Sequence, residues 1–172
     1  ASMNRHYVSL KNRLNFYGAK SLHYKVTSSY GNKDTQTLNL ISIPSIFFGS
    51  QIKPGSLSLR WYFSGSLIGE LQDIRQNGEL IQTGPVGSTG SGSIGGVALY
   101  DEGFILLTGS WNLNTESIHL VTGASTDNPK WIYFAAGAQD DVSTSTAGST
   151  YSSASFALSF KGTTETQTMT MF

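Results

Sequence analysis

The chain has 172 residues, of which only 13% are charged, and 11 basic side chains balance 11 acidic ones. Nucleic-acid binders carry a basic excess or stripe, which this composition lacks, and the absence of Cys excludes disulfide staples and thiolate metal sites. No apolar run is long enough to span a bilayer, and the first residues have no signal-peptide pattern.

Residues 4–20, NRHYVSLKNRLNFYGAK, concentrate basic side chains at Arg5, Lys11, Arg13 and Lys20. Val8, Leu10, Leu14 and Phe16 fit two spacings, a short helix ending at Gly18 or an extended arm. Such a segment either leaves the domain to grip a neighbour or packs as a first element on its own sheet. The chain is accordingly divided into 1–30, an arm or first element, and 31–172, the main domain, as a possible piece of a longer protein. In 21–27, Leu22, Tyr24 and Val26 alternate with His23 and Lys25, which predicts a strand with a polar outer face. Residues 28–36 read as a turn or loop.

The stretch 38–63, LNLISIPSIFFGSQIKPGSLSLRWYF, organises the rest. Residues 38–43 predict a strand, and Pro44 biases Ile43 to an extended backbone and can open a single helical turn over 44–48. That turn tucks Ile46, Phe47 or Phe48 under the sheet as a core plug. Lys53-Pro54-Gly55 predicts a corner, since Pro54 cannot donate to a ladder and Gly55 accepts positive φ. From Ser56 to Phe63 the odd positions Leu57, Leu59, Trp61 and Phe63 are apolar and Ser56, Ser58 and Arg60 are polar. This is the period of two of a half-buried strand.

Residues 67–75 mix apolar and polar side chains, and Asn77-Gly78 matches a tight hairpin dipeptide with 79–83 as the return strand. The run 84–96, GPVGSTGSGSIGG, lacks the lysine of a phosphate-binding loop and continues into a strand, so it reads as a flexible loop. Residues 97–100 and 104–108, joined by Asp101-Glu102-Gly103, form a hairpin apolar on both faces and therefore covered on each side. The two turn acids lack calcium-ligand spacing and read as solvated. Further strands are predicted at 118–121, at 130–136 (KWIYFAA, doubly apolar), and around Phe156, Leu158 and Phe160. Residues 122–129 and 139–149 read as loops, and 163–172 as a Thr-rich strand. Altogether this is an all-β, antiparallel β-sandwich of jelly-roll type, with about nine to eleven strands and very little helix.

Chemistry is sparse. His6, His23 and His119 share no ligand spacing, and no Gly-x-Ser-x-Gly elbow sits on a strand-to-helix turn. Carboxylate pairs drawn from Glu70, Asp73, Glu79, Asp101, Glu102 and Glu116 are what eleven acids give by chance, which leaves a hydrolase the weakest reading. No catalytic, cofactor or metal residue is assigned. Trp61 and Trp131 are expected in the core. Trp111, between Ser110 and Asn112, is the expected surface aromatic, and Trp111, Asn112 and Asn114 are the candidate contacts to a glycan or a partner, with Asp127 and Asn128 nearby.

Residues 43–49 (IPSIFFG) followed by 52–56 (IKPGS) resemble a segment recurring in virion structural proteins of tailed bacteriophages, especially T4-like marine phages. Residues 96–104 (GVALYDEGF) resemble the second half of the same module, and 164–171 (TETQTMTM) is similar to the family as well. The resemblance covers roughly 38–172. It implies a non-enzymatic building block of the virion, in capsid surface, tail, baseplate or fibre, without cofactor, nucleic acid or membrane. Its partners would be other virion subunits, in a homo-oligomer. The alternative is a glycan- or receptor-binding module using exposed aromatics.

Overall fold

Strand β5 (Ser58–Phe63) carries the expected alternation into the fold. Leu57, Leu59, Trp61 and Phe63 are all buried to 2% exposure or less, while Arg60 points to solvent. The structure, a computed structural model, describes residues 2–121, 125–135, 154–166 and 168–170. β5 lies in a seven-stranded, curled antiparallel sheet with β3 (Asn39–Ser42), β6 (Ser66–Gln72), β7 (Glu79–Gly84), β8 (Ile94–Leu99), β9 (Phe104–Leu107) and β12 (Ala154–Ser159). Its order is β12-β5-β6-β7-β8-β9-β3. Short pairs complete the strands: β1 (Thr27–Ser28) with β2 (Gly31–Asn32), β4 (Gln51–Ile52) with β13 (Gly162–Thr163), and β10 (Ile118–Val121) with β11 (Ser125–Asp127). The fold is all-β and sandwich-like, as the sequence predicts.

One face of the sheet is closed by the loops. Leu59, Trp61, Leu71, Leu80, Ala98, Ile105 and Leu107 form a core with Phe48, Ile52, Leu113, Trp131 and Phe134 from the connecting segments. Gly69, Gly95 and Gly109 form the floor under the Trp131 indole, and a Cβ at any of them would sit within 3.1 Å of its ring. The opposite face of β8 and β9 is covered by α1 (Ser2–Tyr17). Leu14 and Tyr17 from the helix, with Tyr24 and Val26 after it, bury Val97, Leu99 and Leu106. Leu10, Leu14 and Tyr17 recur every three to four residues on that face, which is why the segment is a helix and not an arm. It ends at Gly18, whose N–H is bonded to the Asn15 carbonyl at 3.1 Å. The segment thus packs on its own sheet. Burying Leu14 alone contributes about 2 kcal/mol.

Electrostatic ties fix the helix at two places. Tyr7 and Lys11 donate to Asp34 at 2.6 and 2.9 Å. Arg13 pairs with Glu102, and the Tyr17 hydroxyl donates to Asp101 at 3.2 Å. Asp101 and Glu102, expected as solvated turn acids, are therefore the grip of the β8–β9 turn on α1. Burial, followed by the two acids, pushes the Tyr17 hydroxyl up to about 12, which keeps it a donor.

Several local expectations are corrected. Residues 21–26 form turns and bends, with only Thr27 in a strand, because Tyr24 must reach inward to donate to the Ala98 carbonyl, and Leu22 on the other side is exposed. The strand predicted over 130–136 is, in its described residues 130–135, a single 3₁₀ turn (Trp131–Tyr133); an apolar run of that length suits either a buried strand or a turn presenting Trp131 and Phe134 three residues apart. Part of 122–129 is strand β11. In the Thr-rich tail, Gly162–Thr163 pair with β4, while Thr164, Thr166, Thr168 and Thr170 are exposed and unpaired in any described strand. Of the expected plug, Phe48 is buried, whereas Ile46 and Phe47 point outward. In the Gly-rich stretch, Ile94, Gly95 and Gly96 already belong to β8. The predicted loop 139–149 lies outside the described residues.

Asn77-Gly78 does not form a two-residue turn, since six residues, 73–78, join β6 and β7. Asp73 explains the detour. Its side chain, 1% exposed, accepts hydrogen bonds from the Gly55 and Leu57 amides at 2.7 and 2.9 Å and from the Tyr100 hydroxyl at 2.7 Å. The loop returns through Gly78 at φ +92°, where any Cβ would collide with Tyr24 and the Ala98 carbonyl. Asp73→Ala strands three donors around a buried hole, and a loss of about 3 kcal/mol is expected. Tyr100→Phe, which leaves Asp73 both amides, is expected to lose about half as much. Urea unfolding of the two variants checks the order.

Candidate functional site

Two open clefts flank the loop that follows β9. The larger, about 500 Å³, lies between the β1–β2 hairpin and the start of β8, with His23, Tyr30, Gln36, Ser93, Thr108 and Trp111 among its walls. The smaller, about 410 Å³, is walled by Thr89, Asn112, Leu113, Asn114, Thr115 and Asn128. The three residues singled out in the sequence thus flank both clefts, Trp111 on one side and Asn112 and Asn114 on the other.

Gln82 holds this end of the molecule together. It lies in β7 at 1% exposure, and its Oε1 accepts the indole N–H groups of Trp111 at 2.8 Å and Trp131 at 3.0 Å. Its Nε2 donates to the Ser88 hydroxyl at 3.1 Å and the Thr89 carbonyl at 2.9 Å. Both protons and both lone pairs of the amide are used, and since an indole only donates, its orientation is fixed. The backbone of Gln82 also exchanges bonds with Ser93 and Gly92, so one residue ties the Gly-rich loop to the sheet. Trp111 is half-buried as a result. Its pyrrole edge lies over Gly90 (φ +81°), where a Cβ would overlap the ring. Trp111, expected at the surface, is a tryptophan whose N–H is committed and whose ring lines the larger cleft.

On the opposite wall the His23 and Tyr30 rings stack at 3.9 Å with 19° between planes. Burial, ahead of the opposing field of Glu79, holds His23 below the usual histidine value, so it is neutral at pH 7. Glu79 nearby is 7% exposed, accepting from Ser21 at 2.6 Å and Arg75 at 2.7 Å. Burial alone would raise its carboxyl, but the bonds from Ser21, Arg75 and Asn77 outweigh burial and leave it below the ordinary value.

In the smaller cleft the amides bond one another. Asn112 donates to Asn128 at 3.2 Å, Asn128 to the Thr115 and Glu116 carbonyls at 3.1 Å each, and Asn114 accepts from the Glu116 amide at 3.0 Å. Asp127 is paired with Lys130 at 2.6 Å. Among the described residues no carboxylate lines either cleft. Glu70 is committed to Arg60, Asp73 to the 55–57 backbone, and Glu79 to Arg75. Among the described residues no group of three or more His, Cys, Asp or Glu is placed to hold a metal ion, and no helix is long and apolar enough to cross a membrane.

Sequence reasoning missed Gln82 and the His23–Tyr30 pair. A lone glutamine inside the apolar run ELIQTG was the signal for the first; the second pairing spans a turn and leaves no periodic trace. No family model, no curated protein and no solved structure matches the chain.

Two outcomes follow. Gln82→Leu leaves two indole N–H groups without an acceptor, and a loss of about 3 kcal/mol with red-shifted tryptophan emission is expected in chemical denaturation. The depressed Glu79 carboxyl stabilises the fold above the unfolded carboxylate pKa of about 4, and that contribution disappears as pH falls through its lower folded value. Thermal melts of Glu79→Gln are therefore expected to lose less stability than the wild type between pH 6 and pH 3.

Proposed function

We propose that the chain is a non-enzymatic structural building block of a bacteriophage particle, in capsid surface, tail, baseplate or fibre, working through contacts with other copies or subunits. The observation that carries this reading lies in the stretch that resembles virion proteins. In the 3₁₀ turn Ser45–Phe47, Ile46 is 85% and Phe47 68% exposed, while the adjacent Phe48 is 4% exposed. One apolar residue anchors the turn and two large ones stand outward, an arrangement that costs solvation in an isolated monomer and gains it back under a neighbour.

The surroundings support the same reading. The turn is braced by the C-terminal segment: the Ser50 amide donates to the Thr163 carbonyl at 2.7 Å, the Thr163 amide to the Phe48 carbonyl at 3.0 Å, and the Glu165 amide to Ser50 Oγ at 2.9 Å. Residues 164–166 are therefore exposed beside the apolar turn, and 168–170 are exposed as well, Met169 at 84%. Strands β3 and β12 end the seven-stranded sheet, each with one described neighbour, and such edges serve strand addition.

Light scattering across a concentration series is the test. A mass that rises with concentration to an oligomer is expected, and Ile46→Ser combined with Phe47→Ser is expected to return it to the monomer with an unchanged circular dichroism spectrum. A strict monomer at every concentration contradicts the proposal.

A further inference from the structure

We infer that the larger cleft is a binding site for a neutral saccharide. The inference is independent of the assembly role and rests on the walls of the cleft alone. Two aromatic side chains line it. Tyr30, 61% exposed, is held flat by its stack on His23, and the ring of Trp111 is held by its N–H bond to Gln82. Each ring already has a partner before any ligand arrives, which reduces the side-chain entropy left to lose on binding.

Polar groups with free capacity share the walls. The side-chain amide of Gln36 and the hydroxyls of Tyr30, Ser93, Thr108 and Ser110 line or border the cleft, and none makes a hydrogen bond among the described residues. In the smaller cleft the corresponding amides already bond one another, which directs a ligand to the larger one. A pyranose ring alternates apolar C–H faces with an equatorial girdle of hydroxyls, and aromatic faces with unpaired amide and hydroxyl groups match both parts.

Charge narrows the class further. His23 is neutral, Arg75 is occupied by Glu79, and Lys33 donates to the Lys25 carbonyl at 2.8 Å, so among the described residues no free cation lines the cleft for an acidic sugar or a phosphate. The polar walls equally disfavour an apolar ligand, whose burial would leave those groups unpaired.

The test uses the full chain on an array of neutral and anionic oligosaccharides, with each hit titrated in solution by calorimetry. Binding of neutral oligosaccharides is expected, weakened at least about tenfold in Tyr30→Ala, with Thr115→Ala, in the smaller cleft, at wild-type affinity and both variants folded by circular dichroism. Three results overturn the inference: no neutral oligosaccharide bound at millimolar concentration, binding confined to anionic ones, or unchanged affinity in Tyr30→Ala.

Discussion

A β-hairpin that is apolar on both faces cannot stand at the surface of a two-layer domain, and the β8–β9 hairpin imposes that condition on everything around it. Ala98, Ile105 and Leu107 face the aromatic core, while Val97, Leu99 and Leu106 face the other way and must be covered separately. The helix α1 exists for that purpose. Its own amphipathicity is weak, and short helices are marginal in water, so the helix depends on the sheet it covers. The turn that joins β8 to β9 then contributes its two acids to hold the helix in register.

Polar anchors do the complementary work of fixing which loops close the sandwich. Asp73 pins the corner at 54–57 to the β6–β7 connection and to Tyr100, and Gln82 pins the Gly-rich loop, the Trp111 loop and the Trp131 turn to β7. Both are buried, and both are saturated or nearly so with partners from distant parts of the chain. Buried polar groups in that state discriminate between alternative loop packings more strongly than apolar contacts do, because every misplacement leaves a donor or acceptor unpaired. The clefts at the Trp111 end are a consequence of loops held in this manner.

The strands were legible where burial is one-sided or complete over several residues. Residues 56–63 and the 97–108 hairpin follow their patterns closely, because the side chains there answer to one sheet and one register. The elements that differ from expectation lie where tertiary contacts override a local pattern. Tyr24 breaks an apparent strand to reach Ala98, Asp73 lengthens what its sequence marks as a tight turn, and Trp131 sits in a turn over three glycines instead of in a strand. The helix was ambiguous because Val8 and Phe16 lie off its buried face, at 47% and 70% exposure. Of the candidate site, Trp111 and its neighbours were visible as surface-type residues after a strand. The opposing wall was not, since His23, Tyr30 and Gln36 converge with it only through the path of the chain between α1 and β3.

The most direct measurement of this account is native-state hydrogen exchange, comparing amides of α1 around Leu14 and Tyr17 with those of β8 and β9. If the helix and the doubly covered hairpin form one cooperative unit, their most protected amides exchange with the same free energy of opening and respond alike to denaturant. Helix amides that exchange freely while β8 and β9 stay protected would contradict it, and would mean that the second face of the hairpin is covered by something other than α1.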